Sequence, residues 1–585
     1  MIVDEVLKRL RWIEQALSAS RAPFVLALMP VLLIAHSFDD GWYGDDFVQR
    51  TWLADSRETN ARAAWLLPEN APPSNRFHYS MFELFNFADG GERVQHWIER
   101  GVLPWWTHPE LRIRFFRPIS GVTHWLDYTL WPGSPFSMHL HNALWLFAMA
   151  SIAIFTFRLF LPSKTALLAG VFFALNNCLA GAAWIAGRNA LIGATFVFAT
   201  LYCHHRWRTG DKRLYIAALL SFIAALFSSE SGVTAFVFVL SYSLFLECQT
   251  GLKRLLLLLP YLAIAIVWKL LYWLMGYGVQ YSGLYVDPLN MSEFFFAVIQ
   301  TYPALLQSLV ISNVFHDSLP IGLSIGGLFF LLAIPLVQTN PTARFFLFAT
   351  LLSLLPLCAH RWGANIERLF YIPAFGLSGL LAVVLVYWHD RLARLTNQFS
   401  AGATTSVIVI SLLGLSAVSM VHKTSKPSQE QHDLFYAAAP YNWMFRDDGD
   451  DLFLFGTPNS TWNFYYPFLS APELNFEPFS PAYTLVPDLN YEISAAYQNQ
   501  IVLTLKEDWN LSAYDSVWRA RESFYFEEGQ RISAGDLQVV VLEVNQYHRP
   551  KKLLFTFLSP ITIRGYYWRQ WRLGRWNPMP IGAVE

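Results

Sequence analysis

Charge is scarce in this chain. Only 15% of its 585 residues are Asp, Glu, Lys or Arg, where a soluble globular protein carries roughly 25%. The shortage argues against a solvated globule, and a net charge of −1 gives no basic face for a nucleic acid. Cysteine is scarce too. The four present, Cys178, Cys203, Cys248 and Cys358, all fall in or at the ends of apolar segments, so no disulfide framework is expected. The first apolar run is followed by no small-residue cleavage site, so it reads as retained. Matching halves with interrupted helices, the mark of many transporters, are also missing.

What is abundant is apolar and aromatic: 54% and 16% of residues, with 23 Trp and 47 Phe. Rings in such number fit the edges of a bilayer. At the start, Val3, Val6, Leu7, Leu10, Ile13 and Leu17 recur at helical spacing with Lys8, Arg9 and Arg11 between them. This predicts an amphipathic helix over residues 1–20 on the cytoplasmic membrane surface. A spanning helix needs about 20 mostly apolar residues. Spans are expected near 22–37, 137–159, 164–180, 184–203, 213–228, 232–248, 254–275, 321–337, 344–358, 367–388 and 403–421.

Lys and Arg fix the orientation. With the N-terminus cytoplasmic, HHRWRTGDKR (204–213), GLKR (251–254) and HDRLARL (389–395) are all inside. The segment 293–313, with its central Pro303, must then be a re-entrant or surface helix on the outer side. Eleven spans leave two large extracytoplasmic regions, the loop 38–136 within a membrane domain 21–421, and a tail, 422–585.

The unusual polar groups gather on the outer side. WYGDDFVQR (42–50) holds Asp45 and Asp46 where the first span ends. RIRFFRPIS brings Arg112, Arg114 and Arg117 into an aromatic run, with Arg117 at a helix start marked by Pro118. A cation there opposes the helix dipole, so an anion should lie nearby. HLHN (139–142), WIAGRNALIG (184–193), SSESGVT (228–234), YVDP (285–288) and NIERLFYIP (365–373) complete the set. Each has a plain structural alternative. Asp45 and Asp46 serve as helix caps, arginines snorkel, and His139, His141 and Asn142 bond helix to helix. Arg188 and Arg368 form ion pairs with Glu230 or Glu367. Together, however, ionisable groups at membrane depth mark a polar cavity. Arginines suit phosphate, and carboxylates suit a general base or a divalent metal ion.

The ordered set YGDDF (43–47), FFRPIS (115–120), HLHN (139–142), AGRNALI (186–192), FSSESG (227–232) and ERLFYIP (367–373) resembles the GT-C superfamily of membrane glycosyltransferases. The branch of protein O-mannosyltransferases and their transmembrane-tetratricopeptide relatives is the most similar, over roughly residues 30–390. The resemblance implies an α-helical polytopic membrane fold and a sugar donor carried on polyprenyl phosphate. Transfer would be to a glycan, lipid or protein hydroxyl at the outer face, in a bacterial inner membrane in preference to the endoplasmic reticulum. It places Asp45 and Asp46 at the reaction centre, with a metal ion on them if one is used. Arg117, Arg188 and Arg368 fall on the donor phosphate, and His139, Asn142, Glu230, Glu367 and Tyr371 in support. The sequence departs from the family's Lys-Glu pair at Ser229-Glu230 and from its Gly-Arg-Ala-Glu at Asn189. A transporter or flippase for a lipid-linked sugar, or a non-catalytic subunit of an envelope polysaccharide system, are the competing readings.

The tail changes character. DLFLFG (451–456), QIVLTLK (500–506), LQVVVLEV (537–544) and KLLFTFL (552–558) read as strands, with turn-rich stretches between them. A β-rich α+β domain is expected, either as a cap or as a module for an acceptor or partner. YYWRQWRLGRWNP (566–578) is basic and aromatic, suited to sugars or to the membrane surface.

Overall fold

The computed structural model describes residues 21–578 apart from 43, 55–59, 61–63, 69–80, 249–250, 311–318, 362–366, 397, 438–450, 458–481, 488, 510–514, 562–565 and 573–574. The surface helix expected over 1–20 lies outside the described residues. Seven helices are long and apolar enough to cross a membrane: Ala22–Asp39, Pro135–Phe160, Ile185–Arg208, Leu252–Leu274, Pro341–Ala359, Arg368–Leu395 and Ser400–Thr424. The chain is by this measure a multi-pass integral membrane protein. Ser163–Ala174 and Asn177–Ala183, bent by 48°, make one further candidate as a broken span. Leu214–Leu226, Glu230–Phe245 and Gly326–Thr339 are apolar but shorter. They stand where the remaining spans are expected, but length separates them from the others. At 1.5 Å per residue, the 13 residues of Leu214–Leu226 reach about 20 Å, against about 30 Å of hydrocarbon.

Local signals start several of these helices. Pro118, Pro135 and Pro341 each stand in a first turn, where the missing N–H costs nothing. The Asn340 side chain accepts from Thr342 N and Ala343 N. In the bundle core Phe157 stacks on Phe375 at 4.3 Å between centroids, which packs the span Pro135–Phe160 against the helix that follows Arg368. Met291–Val310 is a continuous helix with Pro303 inside and is not among the membrane-crossing candidates. It packs on the bundle through buried Leu305 and Leu309, and the Tyr302 hydroxyl donates to Leu351 O at 2.9 Å.

The rest is sheet. Strands β1 (Asn86–Asp89), β2 (Arg112–Arg114) and β3 (Gly278–Gln280) pair antiparallel, tying the first long loop to a later one. The tail supplies β4 (Asp451–Thr457), β5 (Ala482–Pro487), β6 (Tyr491–Tyr497), β7 (Gln500–Leu505), β8 (Arg531–Ala534), β9 (Leu537–Val544), β10 (Pro550–Phe557), β11 (Tyr566–Arg572) and β12 (Arg575–Pro578). These form a five-stranded antiparallel sheet, β6-β7-β10-β9-β8, and a four-stranded sheet, β12-β11-β4-β5. In the latter β4 lies parallel to both neighbours. The four expected strand segments are thus all in the sheets, and the basic aromatic stretch is the β11–β12 hairpin.

The tail and the first long loop share one core. Val48, Trp52, Trp97, Trp105 and Trp106 of the loop bury against Phe455, Leu485, Leu503, Trp509 and Phe555 of the tail. Trp105 Nε1 donates to Leu485 O at 2.9 Å, and the Tyr483 hydroxyl to Glu99 O at 2.8 Å. The polar ends of these large rings are thus partnered across the boundary. The tail is also continuous with the bundle, because one helix, Gln398–Ala437, runs through the boundary expected at 421/422.

Candidate functional site

Asp45 and Asp46 open the helix Asp45–Leu53, where their charges favour the helix N-terminus. The turn before them needs Gly44, which sits at φ 53° and whose missing side chain faces the Trp184 ring. The two acids have different settings. Asp46 is fully buried, and its Oδ1 accepts from Ala186 N at 2.7 Å. The Tyr128 hydroxyl holds its backbone oxygen at 3.0 Å. Asp45 is half-buried.

Arg117 precedes the helix Pro118–Leu130, and Glu230 is the anion that its position demands. Arg117 Nη2 lies 2.6 Å from Glu230 Oε2, and its Nε donates to the same oxygen at 2.8 Å. The Tyr272 hydroxyl donates to Glu230 Oε1 at 3.3 Å. With the Asn189 amide turned to donate to Ala186 O, its oxygen accepts from Arg117 Nη1 at 3.2 Å. The guanidinium also stacks on Phe115 at 4.3 Å. Burial pulls the Arg117 pKa down, but Glu230 outweighs it and leaves the pKa raised, so this cation stays charged.

Arg368 lies over the Trp184 ring, 4.3 Å from its centroid. Among the described residues it has no ion pair and no hydrogen bond. Tyr285 closes the ring of groups. It packs edge-on to Phe115 and to His360, at 5.4 and 5.0 Å between centroids. Burial pushes its phenol above the ordinary value. Arg368 and Arg117 pull it down, while Asp45 and Glu230 push it up. Two cations and two carboxylates from separate stretches therefore act on one hydroxyl, which has no hydrogen-bond partner among the described residues.

Arg188 goes elsewhere. Fully buried, it lies 2.5 Å from Asp127 Oδ2 through Nη2. The same nitrogen donates to Met138 O at 3.1 Å, Nη1 donates to Thr123 O at 3.3 Å, and Nε donates to Asn142 Oδ1. Asp127 Oδ1 takes a second hydrogen bond from His141 Nδ1 at 2.6 Å. Asn142 Nδ2 donates to Ala182 O and Trp184 O, at 3.1 and 2.8 Å, and His139 Nε2 meets Gly41 O at 3.0 Å. The helix-to-helix bonding weighed for these residues describes His141, which bonds Asp127, and Asn142, which bonds Arg188, but not His139, whose partner Gly41 lies outside any helix. The ion-pair alternative for Arg188 takes a different partner from those expected: Asp127 holds it, while Glu230 holds Arg117. Tyr371 is fully buried at a helix start, with its hydroxyl against Gly181. The Glu367 side chain and Tyr43 lie outside the described residues.

Asp45, Arg117, Glu230 and Arg368 are thus the charged groups that act on the Tyr285 hydroxyl, while Arg188, His139 and Asn142 are tied to other partners. Sequence reasoning missed Asp127, Tyr285, Tyr272 and the Trp184 ring. Asp127 had a signal: Ser120, His124 and Asp127 recur at helical spacing on one face of the helix, and all three are buried. Tyr285 lay in the stretch YVDP, 285–288, which was singled out without naming a residue. As for a metal, no group of three or more His, Cys, Asp or Glu gathers among the described residues. Asp45 and Asp46 are the acids that would hold one, with Asp46 Oδ1 also accepting from Ala186 N.

No family model matches this sequence, and the curated proteins give no match. Among solved structures, the chain is similar to ArnT from Cupriavidus metallidurans bound to undecaprenyl phosphate, at 13% identity and a TM-score of 0.40. The alignment covers 80% of this chain and 86% of that one. It is also similar to the Archaeoglobus fulgidus oligosaccharyltransferase in the apo form, at 13% identity and a TM-score of 0.40. Here it covers 79% of this chain and 62% of that one.

Proposed function

We propose that this chain is a GT-C-type membrane glycosyltransferase. It moves a hexosyl or pentosyl group from a polyprenyl-phosphate donor to a hydroxyl of a glycan, lipid or protein at the extracytoplasmic face, and inverts the anomeric centre. The observation that carries this reading is the half-buried carboxylate of Asp45 at a helix start together with Arg368 on the Trp184 ring, without an ion pair among the described residues; the charges of both act on the Tyr285 hydroxyl. One group suits proton removal and the other suits phosphate.

Asp45 is the base, since Asp46 is buried with Oδ1 bonded to the backbone. Asp45 takes the acceptor's hydroxyl proton as the oxygen attacks C1 of the sugar. The C1–O bond to phosphate breaks, and the polyprenyl phosphate leaves with the electron pair. Arg368, fixed on Trp184, meets the growing charge on that phosphate, the kind of stabilisation that dominates many enzymes. Arg117, held by Glu230 and Asn189, adds positive potential from a fixed position. Arg188 is assigned to positioning: with Asp127 it pins Asn142, which in turn fixes the Trp184 backbone. A single displacement needs no second carboxylate as nucleophile.

The test is transfer by purified chain in lipid vesicles, from a radiolabelled polyprenyl-phosphate sugar into membrane fractions that carry acceptors. Product of inverted anomeric configuration, with release of polyprenyl phosphate, is expected. Movement of intact donor across the vesicle wall without cleavage contradicts the reading in favour of a flippase. Donor binding with neither transfer nor movement favours a non-catalytic subunit.

A further inference from the structure

The tail does more than cover the bundle. A strap at 516–522, which links the 3-10 turns Asp515–Val517 and Arg521–Ser523, runs against the loop that carries Tyr285. Ser516 O accepts from Gly283 N at 2.6 Å, and Ala520 N donates to Tyr281 O at 2.7 Å. The approach is so close that a Cβ on Gly283 would lie 2.7 Å from Ser516 O. Tyr281 is held at φ 60°, a conformation that side chains other than glycine and asparagine resist. Its ring stacks on His108 at 3.7 Å, and His108 N donates to Trp518 O at 3.0 Å. The far side of the same loop is also tied. Val286 N donates to Ala359 O and Arg361 N to Leu284 O, at 2.8 and 2.9 Å, bracketing an antiparallel bridge between Tyr285 and His360. Arg361 then joins three segments, with Nη2 2.7 Å from Glu293 and Nη1 3.2 Å from Glu522 of the strap.

We propose that the 516–522 strap is a positioning part of the reaction centre, which holds the Tyr285 loop through Gly283 on one edge and through Arg361 on the other. The inference rests on the glycosyltransferase reading. Two observations separate it from ordinary domain packing. The loop is gripped by main-chain bonds on both edges immediately beside Tyr285, and a strained residue is retained at the grip. A domain that only covered the bundle would need neither.

The experiment uses the full chain in lipid, with Gly283→Ala, Arg361→Gln, Arg361→Lys and Tyr285→Phe. Transfer kinetics from the polyprenyl-phosphate sugar and thermal unfolding are both measured. Misplacement on the scale of an ångström can cost about a hundredfold in rate. Gly283→Ala is therefore expected to lower kcat/KM by about tenfold or more, with most of the loss in donor KM. Arg361→Gln should do the same and Arg361→Lys should recover most of it. In the Tyr285→Phe background, Gly283→Ala should add less than about twofold, because coupled residues are not additive. Should Gly283→Ala fail to fold, the Arg361 pair decides. Wild-type kcat/KM in the folded strap variants, or full additivity with Tyr285→Phe, overturns the strap and leaves the function standing. A wild type that transfers nothing overturns both.

Discussion

Two sets of charged groups, a sealed layer around Arg188 and an open one around Arg368, use similar residues in opposite ways. In the sealed layer Arg188 is fully buried and every guanidinium nitrogen has a partner among Asp127, Asn142 and backbone oxygens. In the open layer Arg368 rests on Trp184 and has no ion pair among the described residues. Asp127 and Asp46 are fully buried, and Asp45 is half-buried. A buried, satisfied charge sets geometry, and a charge that reaches the surface is open to a substrate. The sealed layer supports the open one, because Asn142 bonds at once to Arg188 and to the backbone of Trp184.

Arginine substitutions break the comparison most sharply. Arg188→Ala leaves Asp127 buried without its cation, a defect that costs about 3–5 kcal/mol. Loss of folded, monodisperse protein in a thermal unfolding assay is expected. Arg368→Ala should leave unfolding within about 0.5 kcal/mol of wild type. It should remove about 1.5–3 kcal/mol of donor affinity, roughly ten- to a hundredfold in donor KM. If the two exchange behaviours, the division into layers is wrong. Trp184→Leu keeps the backbone oxygen that Asn142 bonds and removes the ring under Arg368. A cation–π contact is worth about 0.5–2 kcal/mol, so donor KM should rise severalfold with little change in unfolding. The smallest effect is expected at the strap. Burial first, and Arg519 second, lower the His108 pKa to about 4, while an unfolded histidine titrates near about 6.5. The unfolded chain takes up the proton first, so this contribution is complete above about pH 6.5 and is lost as the pH falls toward about 4. His108→Phe should flatten that part of the melting-temperature profile.

The local parts of this architecture were legible. Strand alternation found β4, β7, β9 and β10, and proline positions marked helix starts. The outer polar motifs pointed to one end of the bundle, because costly groups at membrane depth have few other reasons to recur there. Partner choice was not legible. The sequence offers Glu230 to Arg188 or Arg368, and leaves the anion beside Arg117 unnamed. Only the fold shows that the helix start at Pro118 brings Arg117 to Glu230 while Asp127 claims Arg188. Tyr285 was hidden for the same reason, since its place depends on pairing with His360 and on a strap from the tail. The shared core of the first loop and the tail is likewise non-local, and nothing in the periodicity of Trp105 or Trp509 names the other.

Asp45 carries the central claim, and the most direct measurement is the transfer rate of Asp45→Asn from a polyprenyl-phosphate sugar, read beside its affinity for polyprenyl phosphate. A general base contributes about a hundred- to ten-thousandfold. A fall of at least about a hundredfold in kcat, with lipid phosphate still bound and the fold intact, is the predicted result. Transfer by Asp45→Asn at the wild-type rate would contradict the account.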